Sequence, residues 1–139
     1  MRFLFPALFA LALAGCATPS TPASPPHAGA AIHLSGTKWI RTDDMDANPH
    51  GATMDFGDTR ASGYTGCNRW FADVTQNSEE LRFGPVGTTR MACQTEMQRD
   101  TERHLLDVLA ATRYAHYDQQ TLVLLDSEQH QLASFDSAL

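Results

Sequence analysis

One segment of this chain has helical periodicity, and short alternating segments flank it on both sides. Between residues 96 and 111, one helical stripe is formed by Met97, Thr101, Leu105, Val108 and Leu109. Thr95 precedes the segment and Gln98 follows three residues later, so a capping box is predicted to start the helix at Glu96. The opposite face of the helix, which includes Glu102, is expected to point away from the core.

The segments before and after this helix alternate between apolar and polar residues, as half-buried β-strands do. Residues 52–56 alternate strictly, and residues 57–59 are predicted to form a hairpin connection to the next strand. Further along, the alternation places Trp70 on the core face and Phe71 on the opposite face. Three more strands are predicted within the last 28 residues. This order predicts an α+β domain, in which one helix covers a face or an end of a curved antiparallel sheet.

The N-terminus is predicted to be a lipoprotein signal peptide over residues 1–15. Arg2 precedes an apolar run from residue 3 to residue 14, which is too short to span a bilayer. The run ends in Leu-Ala-Gly-Cys, which resembles the lipobox of bacterial lipoproteins, so Cys16 is expected to carry acyl chains such as palmitate. The alternative is an ordinary signal peptide with a chance cysteine. Each buried methylene contributes about 0.8 kcal/mol, so a lipidated Cys16 would be a lasting membrane anchor.

The residues after Cys16 are expected to form a flexible, lipid-anchored linker over positions 16–32. They are rich in Pro, Ser, Thr and Ala and carry no Asp, Glu, Lys or Arg. A single folded domain is expected over residues 33–139. In the sorting scheme that such lipoproteins resemble, aspartate after the lipidated cysteine favours the inner membrane. Ala17 therefore predicts outer-membrane anchoring, with the domain facing the periplasm.

Composition argues against several classes of function. The net charge is −6 and the ten Lys and Arg residues are scattered, which argues against nucleic-acid binding. The six histidines are dispersed, so no zinc site is expected. Asp43, Asp44 and Asp46 look like calcium ligands, but a calcium loop's central glycine and late glutamate are missing, so they are interpreted as a solvated loop. The chain has no phosphate-loop or nucleophile-elbow motif, and neither a metal nor a cofactor is expected.

Four motifs resemble, in order and spacing, those of the META domain, the domain of the heat-shock-associated HslJ proteins. They are LSGTKW (34–39), GYTGCNRW (63–70), TTRMAC (88–93) and ERHLLDVL (102–109). The chain departs from the family pattern at residues 72–74, where Gly-x-Tyr is usual, and at Leu105, where an aromatic residue is common. The resemblance implies a small, barrel-like β domain with one helix, found in bacterial envelope proteins. It implies no established reaction and no agreed ligand.

Cys67 has three possible roles. After lipidation of Cys16, its one possible intramolecular partner is Cys93, and exported domains mature where disulfides persist, so a structural disulfide is expected. A nucleophilic Cys67 would need a nearby base, and neither cysteine motif contains a histidine. A pair of reduced, buried thiols is the third possibility.

The candidate interaction residues are Asn68, Arg69, Phe71 and Arg90. Asn68 is expected to bond its own backbone and Arg69 to lie over a strand or pair with a carboxylate, although the two could also grip a ligand. Arg90 could bind a carboxylate or phosphate, or could pair with a glutamate of the helix, Glu96 or Glu102. Phe71 is expected to be exposed beside Arg69, as suits a protein contact. A further set is interpreted as core and comprises Trp39, Trp70, Met91, Leu105 and Leu109.

The sequence therefore favours a non-enzymatic lipoprotein that supports envelope integrity or the stress response by binding another envelope component. The second hypothesis is a carrier that holds a small apolar, lipid-like ligand between the curved sheet and the helix. The third is a thiol-dependent enzyme.

Overall fold

The computed structural model describes residues 33–45, 48 and 51–138. The predicted signal peptide, Cys16, the predicted linker and Asp46 lie outside the described residues. Within the described residues the elements are β1 (Lys38–Arg41), β2 (Thr53–Phe56), β3 (Arg60–Tyr64), β4 (Arg69–Asn77), β5 (Glu80–Phe83), β6 (Gly87–Thr88), α1 (Glu96–Ala111), β7 (Tyr114–Tyr117), β8 (Thr121–Leu125) and β9 (Gln131–Ser137). No helix among these residues is long and apolar enough to cross a bilayer.

The strands form an antiparallel barrel, which confirms the predicted fold class. Their order is β3-β2-β1-β9-β8-β7-β5-β4, and the pairing of β3 with β4 closes the ring. The short strand β6 lies beside β4, where it pairs with residues 70 and 71 beyond the end of β5. Closure removes the unpaired edges that would otherwise favour aggregation.

The helix begins at the predicted residue because both halves of its capping box form. The Thr95 side chain accepts a hydrogen bond from the Gln98 backbone N–H, and the Gln98 side chain accepts one from the Thr95 backbone. The helix packs against β5 and β9, which are separated in the barrel by β7 and β8. It therefore connects two sides of the barrel.

The barrel interior is filled by large apolar side chains. The predicted core residues Trp39, Trp70, Leu105 and Leu109 are buried among further residues that include Phe135. The prediction that Met91 is a core residue is wrong, and Met97, which lies on the helical stripe, is exposed as well. The side chains of Met91 and Met97 are 68% and 53% exposed, because Met91 lies in the segment before the helix and Met97 in the first turn, which extends beyond the core.

Candidate functional site

A tight turn between β3 and β4 positions Asn68. The Thr65 backbone N–H donates to the Asn68 carbonyl oxygen at 2.8 Å. The Thr65 hydroxyl oxygen accepts from the backbone N–H groups of Cys67 at 3.1 Å and Asn68 at 2.8 Å. Gly66, at φ 103°, allows the chain to reverse within these residues. The turn places the Asn68 side chain inside the protein, where Asn68 is 3% exposed.

The Asn68 amide holds the segment that precedes the helix. Its Oδ1 accepts from the Met91 backbone N–H at 2.8 Å and from the Thr89 hydroxyl at 2.9 Å. Its Nδ2 donates to the Met91 carbonyl oxygen at 3.2 Å. The prediction that this side chain bonds its own backbone is wrong, because the GYTGCNRW and TTRMAC segments lie next to each other in the fold.

Glu102 connects the helix to the same turn. One carboxylate oxygen accepts from the Thr65 hydroxyl at 2.7 Å, and the other accepts from the Asn68 Nδ2 at 3.2 Å. The prediction that Glu102 points away from the core is therefore wrong. Glu102 does not pair with Arg90 either, since the described residues contain no ion pair between the two side chains.

A disulfide between Cys67 and Cys93 lies beside the Asn68 amide. The two Cα atoms are 5.5 Å apart, and the Asn68 Nδ2 is 3.4 Å from the Cys67 sulfur. The Glu102 carboxylate and both sulfurs lie within 4.8 Å of one another. Because the sulfurs are bonded to each other, they are not thiolate ligands for a metal ion in this state.

We refer to residues 89–93 as the braced segment. The Asn68 amide holds it at Thr89 and Met91, and the disulfide holds it at Cys93. The side chains of Arg90 and Met91 nevertheless point outward and are exposed. The backbone of this segment is thus fixed by contacts of its own, and two long side chains are displayed on the surface.

The outer surface of β2, β3 and β4 adjoins the braced segment, and we call it the outer face. It comprises Thr53, Asp55, Ser62, Tyr64, Arg69 and Phe71. These side chains surround a depression of about 390 Å³. The Arg69 backbone N–H donates to the Thr89 hydroxyl at 3.0 Å, which connects the outer face to the braced segment.

The structure places Phe71 on the barrel exterior, as the alternation of the strand predicts. Its side chain is 47% exposed, and the Arg60 guanidinium lies 5.7 Å from the ring centroid. The ring also covers Gly87, where a Cβ atom would lie only 2.4 Å from it. Arg69 and Arg90 are exposed, and within the described part of the chain neither forms an ion pair.

The prediction of a solvated loop is wrong for Asp43 and Asp44, which pair with a buried arginine. Arg41 is 1% exposed, and its Nε lies 2.6 Å from the Asp43 Oδ1, while its NH1 lies 3.4 Å from the Asp44 Oδ2. The other Asp43 oxygen accepts from the Ser134 backbone N–H at 3.1 Å. Burial raises the pKa of the Asp44 carboxyl, and the Arg41 charge offsets part of that effect.

A second group of ligand-type side chains lies in the exposed turn between β8 and β9. It consists of Asp126, Glu128 and His130. The Asp126 Oδ1 accepts from the backbone N–H groups of Glu128 at 2.8 Å and His130 at 2.9 Å. These bonds lower the pKa of Asp126, and the bond from His130 has the largest effect. Asp126 therefore has a structural role, which is to accept the backbone hydrogen bonds of the turn.

Comparison with known proteins connects this arrangement to a family. The sequence profile described as the META domain matches residues 31–138. No curated protein matches the chain. Among solved structures, the NMR structure of a protein from Burkholderia xenovorans is 23% identical, with a TM-score of 0.61 over 87% of this chain and 99% of that one.

Two further structures share the fold. A second protein solved by NMR is 16% identical, with a TM-score of 0.60 over 76% of this chain and 92% of its own. A crystal structure of a DUF4847 family protein from Bacteroides vulgatus is 10% identical, with a TM-score of 0.54 over 74% of this chain and 93% of its own. At these identities the similarity concerns the fold alone.

Proposed function

This chain belongs to the META domain family, and we propose that it is a non-enzymatic lipoprotein of the outer membrane that binds another envelope component. In this proposal the lipid on Cys16 anchors the chain, and the domain faces the periplasm. Binding supports envelope integrity or the stress response. The interaction surface consists of the braced segment and the outer face.

The observation that carries the proposal is the way the braced segment is fixed. Both backbone groups of Met91 are bonded to the Asn68 amide, although the Met91 side chain is 68% exposed. Because the backbone of Met91 is already fixed, binding of its side chain costs little further backbone entropy, so more of the burial energy contributes to affinity. Methionine, arginine and aromatic residues are also enriched in protein interfaces.

The charges around this segment indicate the kind of partner. The protein carries a net charge of −6, yet Arg69 and Arg90 are exposed without a carboxylate partner among the described residues. A guanidinium group binds carboxylates in a bidentate geometry, and it does so with less competition where no internal partner occupies it. We therefore expect a partner that presents acidic groups.

The state of the cysteines supports a binding role over thiol chemistry. Cys67 and Cys93 are joined, and the neighbouring Glu102 carboxylate accepts hydrogen bonds from Thr65 and Asn68. A thiolate nucleophile needs a cationic or basic neighbour, whereas an anionic neighbour raises the pKa of a thiol. The surroundings of Cys67 therefore favour the disulfide.

The packing of the barrel does not favour the carrier hypothesis. Trp39, Trp70 and Phe135 fill the described interior together with leucine and alanine side chains. The depressions found on the described residues open at the surface. Native mass spectrometry of the purified protein distinguishes the two roles, because a carrier would retain a copurifying apolar molecule.

Photo-crosslinking in cells tests the proposed interaction. A benzoylphenylalanine placed at position 91 of the full-length lipoprotein should form a discrete adduct, either with an envelope protein or with material that sediments with the cell wall. The control is the same probe at position 128, in the exposed turn between β8 and β9. Substituting Asn68→Ala in the probe-bearing protein should reduce the yield, because the braced segment loses its support. Equal adducts from positions 91 and 128 would contradict the proposal.

A further inference from the structure

The outer face is arranged as two rows of side chains across three strands. Register pairs Asp55 with Ser62 and Ser62 with Phe71, which gives the first row. It pairs Thr53 with Tyr64 and Tyr64 with Arg69, which gives the second. Directly opposed side chains in adjacent strands lie about 5 Å apart, so the members of each row are neighbours.

The floor of the depression between these rows is fixed by the barrel. The Thr53 hydroxyl accepts from the Tyr64 backbone N–H at 3.0 Å, and the Thr53 carbonyl accepts from the Trp70 indole N–H at 3.1 Å. Gly63 makes the second bond possible, because a Cβ atom there would lie 1.8 Å from the Thr53 oxygen and 2.8 Å from the indole nitrogen. The side chains around the depression are therefore supported by a rigid backbone.

The depression combines groups that together suit a sugar. It is lined by the short hydroxyl side chains of Thr53 and Ser62 and by the exposed rings of Tyr64 and Phe71. Aromatic rings provide flat apolar surfaces, and hydroxyls provide both donors and acceptors. Its volume of about 390 Å³ lies within the range of small-ligand sites, about 300–1,000 Å³.

The charged groups specify which kind of sugar fits. The Arg69 guanidinium has no carboxylate partner within the described residues, so its N–H groups can donate to a carboxylate of a ligand. The Asp55 carboxylate is 3.9 Å from Lys38, and it can accept hydrogen bonds from hydroxyl or amide groups. A doubly charged phosphate would be repelled by Asp55 and by the net negative charge of the protein. A monoanionic carboxylate with neutral donors beside it fits one arginine and one aspartate.

We propose that the outer face binds an amino sugar with a free carboxylate, such as the N-acetylmuramic acid of cell-wall glycan from which the peptide has been removed. In the complex the sugar ring stacks on Phe71 or Tyr64, the carboxylate binds Arg69, and an amide or hydroxyl donates to Asp55. This inference rests on the proposed function. The predicted tether, residues 16–32, spans at most roughly 55–60 Å at 3.3–3.6 Å per residue, which allows a domain anchored at the outer membrane to reach the wall beneath it.

Two sugars that differ by one acidic group test the inference. N-acetylmuramic acid and N-acetylglucosamine differ by a lactyl ether that carries a carboxylate. Ligand-observed saturation-transfer NMR with the mature, lipidated protein in detergent should show binding of N-acetylmuramic acid with an affinity at least about fivefold higher than that of N-acetylglucosamine, as expected for a charge-assisted hydrogen bond.

The variants assign the effect to Arg69. Arg69→Gln should weaken binding of N-acetylmuramic acid to the level of N-acetylglucosamine, and Phe71→Ala should weaken binding of both sugars. Arg82→Gln is the matched control, because Arg82 is an exposed arginine on β5 that does not line the depression. Thermal unfolding of each variant checks that the fold is intact.

Three results would overturn the inference: equal affinities for the two sugars, equal effects of Arg69→Gln and Arg82→Gln, or binding of neither sugar. A protein adduct from the probe at position 91, obtained together with such a result, would leave the proposed function standing and identify the partner as a protein. Failure of both experiments would remove the proposed function as well.

Discussion

Asn68 and Met91 are joined through two hydrogen bonds that resemble a backbone pair between adjacent strands. The side-chain oxygen of Asn68 accepts from the Met91 N–H at 2.8 Å, and the side-chain nitrogen donates to the Met91 carbonyl at 3.2 Å. A side-chain amide thus replaces a strand where the sheet ends, and it satisfies backbone groups that would otherwise need water. The exposed braced segment depends on this residue for its position at Met91, while the disulfide holds it at Cys93.

Replacing Asn68 with alanine should lower the free energy of unfolding by about 3 kcal/mol. The substitution removes the partners of Met91 and one partner of Glu102, and unsatisfied buried groups cost about 1–3 kcal/mol each. Urea unfolding of the purified protein measures the change. Asn77→Ala, at the exposed end of β4, is the control and should change the free energy by less than about 0.5 kcal/mol. A similar loss in both variants would show that the Asn68 bonds contribute nothing specific.

The disulfide should contribute about 3.5 kcal/mol to the free energy of unfolding, since it closes a chain segment with a sequence separation of 26. The double variant Cys67→Ser with Cys93→Ser removes the bond without leaving an unpaired thiol, and urea unfolding measures the loss.

Mass spectrometry tests the bond directly. The mature protein, folded without reductant, should gain no alkyl group under native or unfolding conditions, and should gain two at Cys67 and Cys93 after reduction. Alkylation under native conditions would contradict the disulfide and would make Cys67 a candidate nucleophile.

Gly63→Ala should destabilise the barrel by about 3 kcal/mol or more, because overpacking forces neighbouring atoms to move. The added Cβ would lie 1.8 Å from the Thr53 carbonyl oxygen, a backbone atom that cannot move aside cheaply. The matched control is Gly84→Ala, where the nearest atom would lie at an ordinary 3.6 Å. Thermal unfolding should separate the two variants, and equal midpoints would contradict the close approach at Gly63.

Asp44 should make the protein more stable as the pH falls. Burial raises its pKa in the folded state above the unfolded value of 3.8, so the native state binds the proton more tightly than the unfolded state. Its contribution to stability therefore decreases as the pH rises from 3.8 through the raised pKa. Urea unfolding across this window should show that Asp44→Asn lacks this dependence.

Asp126 is a control, because its effect on the pH dependence of stability should be opposite to that of Asp44. Hydrogen bonds from the His130 and Glu128 backbones lower its pKa in the folded state, so its contribution is present above the unfolded pKa and is lost as the pH falls through the lowered one. Asp126→Asn should remove a dependence in which stability rises with pH. If both aspartate variants shifted the pH profile in the same direction, the assignment for Asp44 would be wrong.

Local sequence patterns predict the elements well but not the contacts between them. The helix begins at Glu96 as predicted because periodicity and the capping box lie within a few neighbouring residues. The prediction that Glu102 points away from the core is wrong because its partners, Thr65 and Asn68, are 37 and 34 positions away in the chain. No helical pattern carries that information.

The same limit explains the errors at Asp43, Asp44 and Met91. Arg41 is buried because β1 pairs with β9, and Ser134 in β9 completes the bonds of Asp43. Met91 is interpreted as core from the sequence but is exposed, because Asn68 orients its backbone. In both cases a distant polar group decides the environment of a side chain, and the candidate site consists mainly of such contacts.

The lipid anchor gives a final prediction, for residues outside those that the structure describes. Cys16→Ser should move the protein from the membrane fraction to the periplasmic fraction, because two or three acyl chains, at about 0.8 kcal/mol per methylene, are lost with the thiol. Ala17→Asp is the matched variant, since it keeps Cys16 and alters only the predicted sorting signal, and it should move the protein to the inner membrane. Fractionation with metabolic labelling by a fatty acid measures both. Unlabelled wild-type protein would contradict the anchor, and an unchanged position of Ala17→Asp would contradict the outer-membrane prediction while leaving the anchor intact.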